Sequence, residues 1–218
     1  MHLWQQIRTT AYARHEHEEA YAAVVLSAGY EEAGDRGRFR VKAGDVLFHD
    51  ALEAHLDRFS GSVTQVMNLM LPSRFRFQPG LARTADPDLI VRVAERDEVE
   101  AANLLIETAH AKPQPYIDWP DELAASLLEN PSVCLSAWGD LRGLNASAVS
   151  RGFAQVFGIS PCGFRARARA RKAWQAVMTT REPLVMLAAE LGFSDQAHMT
   201  RSVKALAGHP PAALRSRK

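Results

Sequence analysis

Only two cysteines occur in this 218-residue chain, Cys134 and Cys162, and their spacing is not that of a metal-binding pair. That excludes a disulfide framework and a cysteine-built zinc site, and it fits a reducing compartment. Long apolar runs are missing too. The opening residues, Met1-His2-Leu3-Trp4-Gln5-Gln6, offer no hydrophobic stretch of the signal-peptide kind, and no segment is long and apolar enough to span a bilayer. A cytoplasmic protein without membrane contact is expected. Net charge is also scarce, at +1. The balance hides a division: residues 131–218 hold 13 Lys/Arg against 4 Asp/Glu, whereas residues 1–130 hold 13 against 21. A basic C-terminal part is the electrostatic footprint of a nucleic-acid binder, although a solvated basic surface has the same composition.

What is present falls into two textures. Residues 12–78 carry short strand patterns. Tyr21 to Ser27 is an apolar run ended by Gly29, Arg38 to Lys42 alternates polar and apolar, and Val46 to Phe48 and Val63 to Leu71 are further strands. Gly34 and Gly37 bracket a turn, and Pro72 stops the last run. Such spacing predicts a small barrel or sandwich. From residue 86 the period becomes helical. Asp86-Pro87 starts one helix, with Leu89, Ile90, Val93 and Ala94 on its apolar face. Asp97 and Glu100 have capping-box spacing for the next, which carries Ala101, Leu104, Leu105 and Ala109. These helices are expected either to pair between two copies of the chain or to pack on their own barrel. Lys112 to Pro115 reads as a linker, and helical patterns then continue almost to the end.

The C-terminal part repeats itself at an offset of 50 residues. Ser150-Arg151 matches Thr200-Arg201, Gly158 matches Gly208, Pro161 matches Pro211, and Phe164 matches Leu214. Each copy reads as helix, tight turn, helix. Gly143 and Gly192 supply the turns, since glycine tolerates the backbone that closes such a corner. Four residues before each turn stands a small residue, Gly139 or Ala188, which lets two helices cross closely. Asn145 and Ser194 are suitable caps for the second helices, at about 145–157 and 194–207. A helical bundle with a chance repeat is the bland alternative.

In such a unit the second helix enters the major groove and shows its N-terminal residues to base edges. Ala146, Ser147, Ser150 and Arg151 point outward in the first copy, over a buried face of Val149, Phe153 and Phe157. Gln196, Ala197, His198, Thr200 and Arg201 do so in the second, with Lys204 one turn on and Met199 and Val203 inward. Arginine pairs with guanine and glutamine with adenine through two hydrogen bonds each, so Arg151, Gln196 and Arg201 are the candidate base readers. Arg165, Arg169 and Lys172 share one face of the helix joining the copies, open either to phosphate or to the acidic N-terminal half. Trp174 and Val177 should face the core.

These residues resemble the AraC/XylS family of transcription regulators. Residues 189–211, with Gly192-Phe193-Ser194-Asp195-Gln196 and the trailing Gly208-His209-Pro210-Pro211, are similar to its second helix-turn-helix, and Ser150 to Pro161 is similar to the end of its first. Met199 and Val203 stand where the family usually has an aromatic, and Trp138-Gly139 interrupts the first helix of the first copy. The N-terminal half resembles the cupin domain often attached to such regulators, through His15-Glu16-His17 and the stretch Gly44 to His55. The resemblance implies a metal site of His15, His17 and His55, suited to zinc or another divalent transition metal, with a vestigial pocket or histidines satisfied by hydrogen bonds as the bland alternative. The acidic ligand expected after His17 is missing, because Tyr21 or Ala22 stands there, and Asp50, Leu52 and Phe59 replace the second motif's proline, glycine and asparagine. His49 reads as a surface residue.

The expectation is therefore an α+β chain: a cupin-like β-barrel sensor domain at 1–80, a helical connector and dimerisation region at 81–130, and an all-α DNA-binding domain at 131–218. Its implied partners are double-stranded operator DNA and a small-molecule effector, with RNA polymerase and a second copy of the chain beside them. No catalytic residue is expected. The rival readings are a metal-dependent cupin enzyme or metal sensor with an accessory helical domain, and a protein-interaction module.

Overall fold

The computed structural model describes residues 2–61, 63–72, 80–114 and 116–216. Pro115 of the expected linker lies outside them. The fold is α+β, sheet-rich first and helical afterwards. The chain divides into two compact units, residues 1–122 with 155–158, and residues 123–154 with 159–218.

The first unit is a two-sheet sandwich backed by two helices. One sheet has the order β1 (Trp4–Ile7), β8 (Thr64–Met70), β3 (Tyr21–Ser27), β6 (Asp45–His49), β9 (Gly80–Arg83) and β10 (His110–Ala111). The other has the order β2 (Ala11–Glu16), β7 (Ala54–Phe59), β4 (Gly29–Gly34) and β5 (Gly37–Lys42). Gly29 does not end a strand region, as expected from sequence, but begins β4 after a one-residue break at Ala28. β9 and β10 carry the larger sheet well past residue 80.

The larger sheet is buried on both faces. Tyr21, Ala23 and Val25 of β3 face Tyr30, Val41 and Phe59 of the smaller sheet. Ala22 and Val24 face the other way, with Phe48, Met67 and Leu69, onto α1 (Pro87–Ala94) and α2 (Glu98–Thr108). That double burial is why β3 is continuously apolar rather than alternating. The helices thus bury Ile90, Ala94, Ala101 and Leu105 on their own sheet, one of the two dispositions the sequence left open. Ile90 and Leu105 each bring about 1.5–3 kcal/mol when fully buried. Asp86 caps α1 through the Leu89 N–H, and Asp97 caps α2 through the N–H groups of Val99 and Glu100.

The second unit takes in α3 (Trp119–Glu129) from Leu123 onward, then α4 (Leu135–Asp140), α5 (Ala146–Phe157) as far as Ala154, α6 (Pro161–Thr179), α7 (Leu184–Glu190), α8 (Gln196–Ala207) and α9 (Pro211–Ser216). Pro161 and Pro211 open α6 and α9 at the first helical position, where the missing N–H costs nothing. Val177 of α6 packs with Leu187, Phe193, Met199, Val203 and Leu214, and Trp174 covers that cluster from its edge. No described helix is long and apolar enough to cross a membrane.

Candidate functional site

The repeat seen in the sequence is a repeat of backbone geometry. Gly143 and Gly192 close the two tight turns at φ 68° and 72°, and Gly158 and Gly208 end α5 and α8 at φ 67° and 71°. Side chains rarely adopt that left-handed region, so glycine is what the corners require. The close approach is equally concrete: a Cβ on Gly139 would lie 2.6 Å from the Leu144 carbonyl oxygen in the turn and 3.0 Å from Val149 Cγ2 on the second helix. α4 forms through the Trp138-Gly139 interruption, with Trp138 buried and the Arg142 guanidinium 3.9 Å above its ring. Asn145 caps α5 by accepting from the Ala148 N–H at 2.8 Å. The cap of α8 is Asp195, which accepts from the His198 N–H at 2.6 Å, and not Ser194. The correction follows from the repeat itself, since Asp195 is the residue 50 positions after Asn145.

The inward faces are as expected, with Val149, Phe153, Phe157, Met199 and Val203 all buried. Ser147, Ser150, Arg151, Gln196, Arg201 and Lys204 are exposed, while His198 and Thr200 are half-buried. Arg151 donates to the Ser147 hydroxyl one turn back. His198 is held in place: its Nδ1 lies 3.1 Å from the Ser194 hydroxyl, and its ring stands edge-on to Phe193. The His198 N–H and the Arg201 charge keep the Asp195 carboxyl below its ordinary range. Arg165 and Lys172 have a different role from either one read in the sequence. Arg165 donates to the carbonyls of Pro131 and Val133 at 2.9 and 3.2 Å, and Lys172 to that of Leu128 at 2.9 Å. They satisfy carbonyls in the last turn of α3 and in the segment that follows it. Arg169 lies 5.7 Å over the Phe193 ring. Cys134 and Cys162 are free and exposed.

In the sheet unit, His15, His17 and His55 come together. His15 pairs across β2 and β7 with His55, and His17 follows two residues on, toward the same side. Their ring centroids are 4.4 Å apart for His15–His55, 5.1 Å for His15–His17 and 5.6 Å for His17–His55. One candidate ligand atom from each lies within 4.8 Å of the others. They line a cavity of about 360 Å³ that also takes in Tyr12, Tyr21 and Asp57. Glycine at position 34 leaves room for the cluster, because a Cβ there would sit 2.9 Å from the His55 Cβ.

Behind this cluster lies a second one that the sequence did not reveal. Glu32, His49 and His55 also place ligand atoms within 4.8 Å of one another, and all three are buried. His49 is no surface residue: it is 2% exposed, because β6 pairs with β3 and stacks its ring on Tyr21 at 4.5 Å. Glu32 stands opposite Asp57 in the β4–β7 register, a like-charged pair that His55 mediates. His55 Nδ1 is 3.0 Å from Glu32 Oε2 and 3.2 Å from Asp57 Oδ1, and its Nε2 is 3.2 Å from the Tyr21 hydroxyl. Burial pushes Glu32 up to about 7. Burial would lower His55, but the Glu32 charge and the hydrogen bonds to Asp57 and Glu32 outweigh it and hold His55 well above its ordinary value. His17 is lowered to about 4, by burial first and by the charges of His55 and His15 next. No local signal marked Glu32 or His49; strand pairing of β4 with β7 brings Glu32 to His55, and the facing of the two sheets brings His49.

Comparison with known proteins agrees with the C-terminal geometry. Residues 140–217 match a family described as a helix-turn-helix domain. Among solved structures, the chain is similar to the C-terminal domain of AraT, a response regulator from Geobacillus stearothermophilus. There the identity is 19%, over 45% of this chain and 84% of that one, with a TM-score of 0.42. A probable AraC family transcriptional regulator from Rhodopseudomonas palustris is 21% identical over 44% of this chain and 92% of its own, with a TM-score of 0.40. ToxT from Vibrio cholerae, solved with a bound unsaturated fatty acid, is 10% identical over 97% of this chain and 93% of its own, with a TM-score of 0.42. No curated protein sequence matches the chain.

Proposed function

We propose that this chain, whose residues 140–217 are an AraC-type helix-turn-helix domain, is a sequence-specific DNA-binding transcription regulator controlled through its N-terminal sheet unit. The observation that carries the reading is the duplicated device in the second unit. Two helices, α5 and α8, are set by matching glycines and caps, and each turns a polar N-terminal face and one arginine outward. Arg151, Gln196 and Arg201 read base edges, and Ser147, Ser150, Thr200, His198 and Lys204 hold the phosphate backbone on either side. Arg151 gives up only its bond to Ser147, at an exposed position where the exchange costs little. Arg165 and Lys172 of α6 are engaged with backbone carbonyls of their own unit, so the recognition helices carry the contact.

Control enters through the cavity beside His15, His17 and His55. Its volume of about 360 Å³ suits a small effector. The three imidazoles also fit a divalent transition metal, because one candidate ligand atom from each lies within 4.8 Å of the others. A bound ion would supply a fixed positive charge inside the sandwich. No step of DNA binding requires catalysis, and the regulator reading leaves the rival enzyme reading without a role for α5 and α8.

A selection of genomic fragments on the full chain, followed by binding at increasing salt, tests this. A shared sequence motif is expected among the bound fragments, with the logarithm of the binding constant falling linearly against the logarithm of salt. Recovery of random fragments would overturn sequence-specific recognition.

A further inference from the structure

At one edge of the larger sheet, where β6, β9 and β10 lie side by side, the sheet unit has a second cavity, of about 650 Å³. It shares no lining residue with the histidine-lined cavity. We infer that this edge cavity is a binding site for a small organic monoanion, whose charge is met by Arg83 and Lys112 and whose apolar body lies against Leu26, Pro87 and Pro113.

Strand pairing sets the polar groups in a row. Asp45 of β6 stands opposite Arg83 of β9, and Arg83 stands opposite His110 of β10, so the three side chains share one face. Asp45 is fully buried, and both its oxygens are taken. Oδ1 accepts from Arg83 Nη1 at 2.7 Å, and Oδ2 accepts from Lys112 Nζ at 2.6 Å and from the Lys42 N–H at 3.1 Å. One carboxylate thus holds two cations, and one positive charge is left over. No Asp or Glu lines the cavity among the described residues, whereas Arg83, Lys112 and His110 all do. Asp86, close by in sequence, serves its own helix, where it accepts from the Leu89 N–H at 2.8 Å and faces Arg92 at 3.9 Å.

Both cations are anchored at one end and open at the other. The Arg83 and Lys112 side chains are 47% and 30% exposed, against 0% for Asp45. Asp45 engages one nitrogen of each, which leaves further N–H groups of both to meet a ligand. The second contact of Arg83, from Nη2 to the Ala43 carbonyl, is long at 3.4 Å. Gly44 makes room for the guanidinium: its φ is 85°, and a Cβ there would lie 3.1 Å from Arg83 Nη2. Lys112 is fixed by its backbone, whose N–H donates to the Leu81 carbonyl at 3.0 Å and so prolongs the pairing of β10 with β9. Cations held in place before the ligand arrives lose little freedom on binding. An arginine fork beside a lysine suits a carboxylate or a similar oxyanion. A single surplus charge favours a singly charged anion over a phosphate monoester, which is close to doubly charged at pH 7. The apolar walls take the rest of the molecule, and the volume lies within the range of about 300–1,000 Å³ usual for small-molecule sites.

Calorimetric titration of the full chain with 2-naphthoate, with neutral 2-naphthalenemethanol and with 2-naphthyl phosphate tests this. One equivalent of 2-naphthoate should bind. The alcohol should bind about 10- to 100-fold more weakly, the worth of one charge-assisted contact, and the phosphate should bind no more tightly than the carboxylate. Arg83→Gln and Lys112→Gln each keep an N–H for Asp45 while removing a positive charge. Each should weaken 2-naphthoate by about 10- to 100-fold. Ala85→Trp, which fills the cavity from an exposed position in its wall, should abolish binding. If either glutamine variant fails to fold by circular dichroism, Ala85→Trp and the alcohol decide, because Ala85 lies outside every strand and helix. Binding of 2-naphthoate that survives Ala85→Trp would place the ligand elsewhere and overturn the inference. Equal affinity for the alcohol would remove the charge from recognition, and a phosphate bound more than about 10-fold more tightly would overturn the assignment to a monoanion. No binding of 2-naphthoate by the wild-type chain would leave Asp45, Arg83 and Lys112 as a structural tie alone.

Discussion

The two helix-turn-helix copies agree in backbone and differ in filling. Gly143 and Gly192 share one conformation, as do Gly158 and Gly208, and Asn145 and Asp195 cap the same position of α5 and α8. The interior does not match residue for residue. The first copy buries Phe153 against Phe164, ring edge to ring face at 5.3 Å. The second has Val203 and Leu214 at those positions, and its ring sits in the turn instead, as Phe193 beside Met199. Backbone corners admit few residues, whereas a core accepts many if volume is kept. The surfaces differ more. Ala146 and Ala148 of the first copy become Gln196 and His198 in the second, so the second has the richer set of groups for reading bases.

Core truncation should expose the difference most strongly. Phe153→Ala should cost about 3–5 kcal/mol, against about 2–5 for Met199→Ala, in denaturant unfolding of the full chain. On DNA, Arg201→Ala should lose about 1–3 kcal/mol of discrimination at one base pair, and Arg151→Ala less, in competition across an operator library. Lys204→Ala should weaken all sequences alike and lower the salt slope by about 0.9. Uniform loss in Arg201→Ala would make that arginine a phosphate contact too. Gly143→Ala and Gly192→Ala should each cost about 1–2 kcal/mol, and by nearly equal amounts, since φ is the same. Unequal costs would break the backbone equivalence.

The caps give the smallest effect and the cleanest contrast. Asn145→Ala should cost about 1 kcal/mol at any pH. Asp195→Ala should not behave so. Its carboxyl is held below its unfolded value, so its contribution is present above that value and is lost as pH falls through the lower, folded one. Stability curves of the two variants against pH should therefore converge on wild type in acid for Asp195→Ala only. A flat difference for both would remove the charge from the account of α8.

How much of this could be read beforehand depended on the range of the cause. The turns at Gly143 and Gly192, the inward faces of α5 and α8 and the helix starts at Asp86 and Asp97 are written within a few neighbouring residues, and they stand where the sequence places them. The cap of α8 was misassigned by one residue because Ser194 and Asp195 are both good caps and adjacent. Arg165 and Lys172 were misjudged because their partners, the carbonyls of Leu128, Pro131 and Val133, are backbone atoms that a sequence pattern does not display. His15, His17 and His55 could be named by resemblance, and strand period supported the first two.

By itself the sequence determined the two-part character of this protein: glycine spacing, helix period and the segregation of charge are local or compositional properties, and they survive without knowledge of neighbours in space. Tertiary structure alone decided what surrounds His55. Glu32 reaches it through the pairing of β4 with β7, and His49 through the facing of one sheet onto another, distances that no run of adjacent residues encodes.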